Sequence, residues 1–181
     1  MISADLRGRR IIVTGGASGI GLAAVEIMAK MGAKVALNYL PNDETGSMRV
    51  AEFNAAGLEV IGAPGNVGIA GEAEAMINAA ITQLDGLDYL INNAGTPGTP
   101  EPIAPANLDA MTEEFWQMLL NVNLIGPFRC AHAAADALKQ SKGSIVNTAS
   151  IAGVGKQGGS IAYSATKTGP VSLTSSLARA L

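Results

Sequence analysis

A tyrosine and a lysine four residues apart, Tyr163 and Lys167, are the pair whose types and spacing could do chemistry. On a helix, residues i and i+4 stand on one face, one turn apart. Free tyrosine is protonated at neutral pH, but a neighbouring ammonium group favours its phenolate. The pair could therefore exchange a proton with a bound molecule. The alternative is an ordinary amphipathic helix face.

Two further polar residues, Ser150 and Asn123, are candidates whose roles stay open. Ser150 ends an apolar run, at the carboxyl end of a predicted parallel strand, where ligands bind in open α/β sheets. Its hydroxyl could bond a substrate oxygen that gains charge, or it could cap a helix, and Thr148, Ser160 and Ser164 are competitors. Asn123 lies in a strongly helical stretch, where asparagine is a mediocre helix former and could simply bond neighbouring backbone.

The elements that must position these residues follow from hydrophobic periodicity. Near-continuous apolar runs bounded by glycine predict buried parallel strands at Arg10–Thr14, Lys34–Asn38, Leu58–Gly62, Asp88–Asn92 and Ser144–Thr148. Helical periodicity predicts helices at about 19–31, 44–56, 69–84 and 112–140, and from about 161 to the end. Strand–helix–strand repetition without a linker predicts one α/β domain over 1–181, a three-layered, doubly wound parallel sheet of Rossmann type.

A glycine-rich segment, Thr14–Gly21 (TGGASGIG), follows the first predicted strand and opens the first predicted helix. Glycines allow a sharp turn close to a diphosphate, and the helix N-terminus offers N–H groups and a positive dipole end. The spacing is G-x-x-x-G-x-G, which differs from the more common G-x-G-x-x-G. A plain glycine-rich turn is the alternative. If a dinucleotide binds here, we expect contacts from Gly15, Ser18, Gly19, Ile20 and Gly21.

Composition argues against several function classes. The net charge is −3 and no basic run exceeds Arg9-Arg10, so we expect no nucleic-acid or acidic-membrane partner. Cys130 is the single cysteine and His132 the single histidine, so we expect neither an intrachain disulfide nor a metal site. No apolar window is long enough for a membrane span, and the start, Met1–Asp5, does not resemble a signal peptide. We expect a cytoplasmic protein.

Taken together and in order, the motifs resemble those of the short-chain dehydrogenase/reductase family, over essentially the whole chain. The matching segments are Thr14–Gly21, Asn92–Gly95 (NNAG), Asn121–Phe128 (NVNLIGPF), Ser150, and Tyr163–Lys167 (YSATK) thirteen residues after Ser150. The resemblance implies a nicotinamide-dependent oxidoreductase that moves a hydride between the cofactor and a secondary alcohol or ketone.

The resemblance also implies residue roles. Tyr163 is the general acid/base, Lys167 assists it and holds the nicotinamide ribose, and Ser150, selected by its spacing to Tyr163, bonds the substrate oxygen. Asn123, which the family pattern favours over Asn121, interrupts its helix and positions a water of the proton relay. A non-catalytic dinucleotide sensor or scaffold, and an epimerase that uses bound cofactor transiently, remain alternatives on the same fold.

Further cofactor contacts are implied at Asn93, Ala94 and Gly95, and at the adenine-side pair Asn66-Val67, where aspartate is more usual than Asn66. Tyr39 stands at the end of the second strand, where NAD enzymes place an acid for the ribose 2′-OH. Leu40 and Ser18 stand where NADP enzymes of the family use a basic residue. The missing cation favours NAD, and the choice between NAD and NADP stays open.

The stretch from Phe115 to Leu138 is apolar nearly all round, and family members pair such helices, so a homodimer or homotetramer is expected. Pro170 is expected to kink the last helix beyond Lys167. Family members continue beyond the position of Leu181, so we expect the sequence to be part of a longer chain. Substrate choice is expected to depend on loops at Thr96–Asn107 and Ile151–Ser160.

Overall fold

The computed structural model describes residues 4–101, 103, 104, 106–155 and 159–181, and its centre is a parallel five-stranded sheet. The strands are β1 (Arg10–Val13), β2 (Lys34–Tyr39), β3 (Val60–Pro64), β4 (Tyr89–Asn92) and β5 (Ser144–Asn147). They lie in the order β3-β2-β1-β4-β5. Each predicted run forms a strand, but β3 starts later than predicted. The reason is that the Leu58 N–H bonds the Phe53 carbonyl and so closes the preceding helix.

Helices connect the strands, and three of the six α-helices described begin at a capping side chain. They are α1 (Gly19–Lys30), α2 (Glu44–Ala55), α3 (Glu72–Leu84), α4 (Glu113–Leu120), α5 (Gly126–Ser141) and α6 (Ile161–Ala180). Asp43, Thr112 and Ser160 each accept a backbone N–H from the first turn of α2, α4 and α6. α3 begins three residues later than predicted, where Glu74 bonds the Gly71 N–H. α6 continues through Pro170 as one helix.

Apolar side chains cover both faces of the sheet. One buried cluster joins the strands to α1 and α2, and a second joins them to α3 and α5. Neighbouring strand residues alternate between the two: Ile11 and Val13 belong to the first cluster and Ile12 to the second, and all three are fully buried. Burial of each such side chain contributes roughly 1.5–3 kcal/mol. The predicted three-layered, doubly wound architecture is confirmed.

The strand order places a topological switch point between β1 and β4. The chain builds β2 and β3 on one side of β1 and then crosses to place β4 and β5 on the other side. In open α/β sheets, ligands bind outside the carboxyl ends of the strands at this point. The two segments that leave β1 and β4, Thr14–Gly21 and Asn93–Gly95, therefore flank one crevice.

In the part of the chain described, no helix is both long and apolar enough to span a membrane.

The opposite end of the sheet is held by a buried carboxylate, Asp88. Its oxygens accept hydrogen bonds from the backbone N and the Nε of Arg10, both at 2.9 Å, and Arg9 lies 3.6 Å away. Burial by itself raises the pKa of Asp88, but the hydrogen bonds from Arg10 outweigh it, and the pKa is lowered. The ionised carboxylate thus ties the start of β1 to the start of β4.

Replacing this carboxylate should weaken the fold in a pH-dependent way. We expect Asp88→Asn to lower the free energy of unfolding by about 1–3 kcal/mol at neutral pH, measured by urea denaturation. Because the folded-state pKa is lowered, the stabilisation is complete above the unfolded pKa of about 4 and is lost as the pH falls through the folded value. The difference between wild type and variant should therefore shrink in acid. Asp5→Asn, at an exposed pair with Arg7, is the control and should change little; equal effects would contradict this reading.

Candidate active site

Three glycines shape the turn after β1. Gly15 and Gly19 have φ angles of +63° and +53°, a left-handed conformation that other residues rarely adopt. Gly21 is buried, and a methyl group on it would collide with the Gly15 carbonyl oxygen and approach Asn93 Nδ2 to 2.6 Å. The turn can therefore bring backbone, without side chains, to the face of the crevice.

The turn is locked to the segment that follows β4. The Thr14 hydroxyl accepts hydrogen bonds from the N–H groups of Asn93 and Ala94, at 2.9 and 3.0 Å. The Asn93 amide donates to the carbonyls of Thr14 and Gly15, at 3.1 and 3.2 Å. The two predicted cofactor motifs thus form one unit. Sequence reasoning treated Thr14 only as the start of the motif and missed this role, which depends on contacts about eighty residues apart.

The start of α1 faces solvent beside this unit. Ser18, Gly19 and Ile20 are exposed, and Ile20 keeps 74% of its surface accessible. The Ser18 side chain makes no capping hydrogen bond. The first N–H groups of a helix have no intrahelical acceptor, and the dipole there is positive, so this end of α1 is suited to an anionic group.

Asn66, one of the two adenine-side candidates, borders a cavity of about 400 Å³ beyond β2 and β3. The cavity is lined by Leu40, Pro41, Asn42, Asp43, Asn66, Ile69 and Glu72. Asn66 accepts the Gly68 N–H at 2.9 Å, and Val67 is buried beneath the loop. The Tyr39 ring packs against Gly46 and Gly62 and belongs to the core between α2 and the sheet. Leu40, 56% accessible, is therefore the first exposed side chain after β2.

Asn123 lies in a π-helical turn, Asn121–Ile125, that separates α4 from α5. The helix predicted over 112–140 is therefore present, from Glu113 to Ser141, but it contains a π-helical turn at the position where the family resemblance implies an interruption. Asn123 is fully buried, and its amide pairs with both the N–H and the carbonyl of Thr96, each at 2.9 Å. Its Nδ2 also donates to the Thr166 hydroxyl at 3.3 Å. Sequence reasoning missed Thr96 and Thr166, whose partners are distant in sequence.

Lys167 is buried beside Asn123, with 5% of its surface accessible. Its Nζ donates to the Thr148 carbonyl at 3.1 Å, and no carboxylate among the described residues pairs with it. A methyl group on Gly95 would lie 3.1 Å from this Nζ and 3.2 Å from Asn123 Oδ1. Gly95 is thus where the exit of β4, the π-turn and α6 come together. Burial lowers the pKa of Lys167, because a charged amine is poorly solvated there.

Ser150 and Tyr163 lie on neighbouring elements above Lys167. Ser150 begins a 3₁₀ turn, Ile151–Val154, and its hydroxyl accepts the Ala152 N–H at 3.2 Å. This turn packs on α6 so closely that a methyl group on Gly153 would collide with the Lys167 carbonyl. The predicted loop over Ile151–Ser160 therefore begins with helical structure, and its residues 156–158 lie outside the described part.

Tyr163 occupies the first turn of α6 and is half-buried against a small apolar cluster that includes Phe115 and Trp116. The Ser160 hydroxyl accepts the Tyr163 N–H at 3.1 Å and caps α6. Ser160, which the sequence offers as an alternative to Ser150, is therefore the N-cap residue of α6.

The loop predicted over Thr96–Asn107 has neither helix nor strand among its described residues; Pro102 and Pro105 fall outside them.

An open parallel sheet with a glycine turn at its switch point defines a dinucleotide-binding class of fold. The family described as short chain dehydrogenase matches residues 9–181. The chain is 37% identical over 172 residues to the 3-oxoacyl-acyl-carrier-protein reductase FabG of Staphylococcus aureus, a match that covers 94% of this chain and 67% of the relative. This chain belongs to the short-chain dehydrogenase family of oxidoreductases, so the resemblance carried by the motifs is confirmed.

Two further similarities extend the comparison. The chain is 37% identical over 152 residues to the 2,5-dichloro-2,5-cyclohexadiene-1,4-diol dehydrogenase of Sphingobium indicum, covering 83% of this chain and 57% of the relative. The crystal structure of a short chain dehydrogenase from Burkholderia cenocepacia in complex with NADP superposes with a TM-score of 0.88 and 31% identity. That superposition covers 98% of this chain and 70% of the other.

The buried amine makes Lys167 costly for the fold of the free protein. Because its folded-state pKa is lowered, the cost is complete below that pKa and fades as the pH rises towards the usual value of 10.5. We expect Lys167→Met to unfold at the same or a higher urea concentration than wild type at neutral pH, with the difference closing in alkali. Lys139→Met, at an exposed position on α5, should have no such pH dependence. A clear loss of stability in Lys167→Met would show that the bond to Thr148 dominates.

Proposed function

We propose that this chain, as one domain over 1–181, binds a nicotinamide dinucleotide and transfers a hydride between it and a secondary alcohol or ketone. The observation that carries the proposal is the convergence of buried Lys167 and Asn123 on Gly95, at the switch point of the sheet. A structural role alone does not explain an amine that is buried without a carboxylate among the described residues. The NADP complex of the Burkholderia neighbour supports a nicotinamide cofactor.

The residues present fit such a cofactor. The backbone of the turn, from Gly15 through Ser18, Gly19, Ile20 and Gly21, would hold the diphosphate, because side chains there are absent or exposed. Asn66 would border the adenine in the 400 Å³ cavity. Val67 is buried and Tyr39 packs against the core, so both would support the adenine site without lining the cavity. The segment Asn93–Gly95 and Lys167 would lie at the nicotinamide end, where the exposed Gly95 leaves the backbone open.

The cofactor supplies or accepts the hydride, and the protein handles the proton. The Tyr163 hydroxyl gives a proton to the substrate oxygen, or takes it, depending on direction. The Lys167 ammonium, on the same face of α6 one turn later, favours the phenolate and is itself stabilised by it, because each is otherwise a poorly compensated charge. Ser150 donates a hydrogen bond to the oxygen on which charge develops. Asn123 holds the Thr96 backbone and so keeps this end of the crevice in shape.

The substrate class follows from what the relatives share. The Staphylococcus relative is named as a reductase of a 3-oxo group and the Sphingobium relative as a dehydrogenase of a ring diol. A carbon that alternates between carbonyl and secondary alcohol is common to both names. The proton chemistry proposed for Tyr163 and Ser150 requires the oxygen on such a carbon. It does not select among substrates that carry one.

We assign NAD over NADP as the preferred cofactor. Asp43 and Glu72 line the cavity beyond β2, and Leu40 and Ser18 offer no cation for a 2′-phosphate. A doubly charged phosphate beside two carboxylates would be repelled. The Burkholderia neighbour is in complex with NADP, so this assignment depends on the charges of this chain and not on that comparison.

The assembly we propose is a homodimer or homotetramer. Ile125 and Phe128 at the start of α5, and Val171 on α6, remain exposed although they are large and apolar. His132 stacks on Phe128 with ring centroids 6.2 Å apart, which extends the same surface. Helices that present such a face commonly pair across a two-fold axis.

Replacing the tyrosine hydroxyl tests the reaction. We expect Tyr163→Phe to lower kcat by about 10²–10⁴-fold, because phenylalanine keeps the ring packing and loses the proton. Dinucleotide binding, followed by fluorescence titration, should be largely unchanged. Turnover would be measured with a panel of alcohols, sugars and ketones by cofactor absorbance.

Tyr89→Phe, a tyrosine in β4, is the matched control and should retain activity. Turnover near the wild-type rate in Tyr163→Phe would refute the catalytic assignment. Dinucleotide binding by the wild type without turnover of any compound would instead favour a sensor or scaffold.

Parallel titrations with NAD and NADP test the cofactor assignment. We expect tighter binding of NAD, and we expect Leu40→Arg to strengthen NADP binding by about tenfold, since a charge-assisted bond contributes about 1.5–3 kcal/mol. Met48→Arg, exposed on α2, is the control for added charge and should shift the ratio less. Tighter binding of NADP by the wild type would overturn the assignment.

A further inference from the structure

Asn38, the fifth residue of β2, has a buried side chain with three partners on two other segments. Only 3% of its surface is accessible. Its Oδ1 accepts the Gly15 N–H at 3.0 Å, and its Nδ2 donates to the carbonyls of Ala63 and Gly65, both at 2.9 Å. Its own carbonyl accepts the Gly16 N–H at 2.8 Å. The first two glycines of the turn therefore both bond to Asn38.

These bonds cross the sheet above β2 and join the two halves of the proposed cofactor site. Gly15 belongs to the turn that would hold the diphosphate. Gly65 directly precedes Asn66, which borders the adenine-side cavity. Because β1 and β3 are not neighbours in the sheet, their exits bond the backbone of β2, through the N–H groups of Gly16 and Gly65, and not each other. The Asn38 amide is the side chain that bonds both exits.

Few side chains could replace this amide. The site needs one acceptor for the Gly15 N–H and two donors for the two carbonyls, and the amide supplies all three at this length. A carboxylate has no donor, and a hydroxyl has only one. Removing the amide would leave buried polar backbone unpaired at the exits of both β1 and β3. Each exit would then be held to β2 only by its backbone bond, from Gly16 to Asn38 or from Gly65 to Tyr39.

We propose that Asn38 is a positioning residue for the dinucleotide, which sets the distance between the diphosphate-binding turn and the adenine-side loop without touching the cofactor. The inference rests on the proposed function, because it concerns the same dinucleotide site. Its distinctive consequence is a selective loss of cofactor affinity. The chemical step depends on Tyr163 and Lys167 on α6, whose described side-chain and capping hydrogen bonds go to Thr148 and Ser160 and not to Asn38, Gly15 or Gly65.

The test compares alanine variants of two side-chain amides that both bond β3, Asn38, which is buried, and Asn54, which is exposed. Asn38→Ala should raise the Kd of the reduced dinucleotide by about tenfold or more, as expected for the loss of hydrogen bonds that hold a site. At saturating cofactor, kcat should stay within about twofold of wild type. Asn54→Ala is the matched control, because the Asn54 amide bonds the N–H and carbonyl of Val60 at the other end of β3.

The control also removes hydrogen bonds to β3, and it should keep its cofactor Kd. Asn38→Ser, which retains one hydroxyl, should fall between wild type and alanine and serves if the alanine variant does not fold. An unchanged Kd in a folded Asn38 variant, or an equal rise in Asn54→Ala, would overturn this inference and leave the proposed function standing. Wild-type protein that binds neither NADH nor NADPH would overturn both.

Discussion

The Thr14 hydroxyl is the contact on which the site depends most. It accepts the N–H groups of Asn93 and Ala94, and the Asn93 amide returns bonds to the carbonyls of Thr14 and Gly15. These bonds hold the segment that follows β1 against the segment that follows β4, at the switch point of the sheet. The glycine turn lies on one side of these bonds and Gly95 on the other. Without the hydroxyl, the two exits would be joined by the backbone pairing of β1 with β4 and by the Asn93 amide alone.

Around Gly95, close packing determines where the side chains of Lys167 and Asn123 lie. The exit of β4, the π-turn and α6 approach so closely that a side chain larger than hydrogen at Gly95 would press on Lys167 and Asn123. The amine is thereby held in a poorly solvated place, which is unfavourable for the free protein and useful for stabilising a phenolate or bonding a ribose. At the other end of the sheet, Asp88 is buried with two arginines beside it, so its charge supports the fold. The buried charge of Asp88 is thus paired with arginines. The buried amine of Lys167, where we propose function, has no carboxylate beside it among the described residues.

The five strands and the order of motifs were predictable because buried parallel strands are near-continuous apolar runs and glycine turns follow them directly. The strand boundaries were less predictable. Residues 58 and 59 were predicted as strand, but they complete the turn after α2, because the Leu58 N–H bonds the Phe53 carbonyl. The π-turn was invisible in the pattern, since one extra residue in a helix that is apolar nearly all round does not disturb its periodicity. It was expected only from the family resemblance.

The sequence by itself determined which elements form and that Tyr163 and Lys167 share a helix face, because both depend on spacings of a few residues. Only the tertiary structure decided that the Tyr39 ring packs into the core, that Ser160 caps α6, and that Asn38 links Gly15 to Gly65. Contacts such as those of Thr14 and Asn123 join residues tens of positions apart. A hydroxyl or amide has the same local pattern whether it is exposed or paired, and its partner is chosen by the packing of the whole sheet.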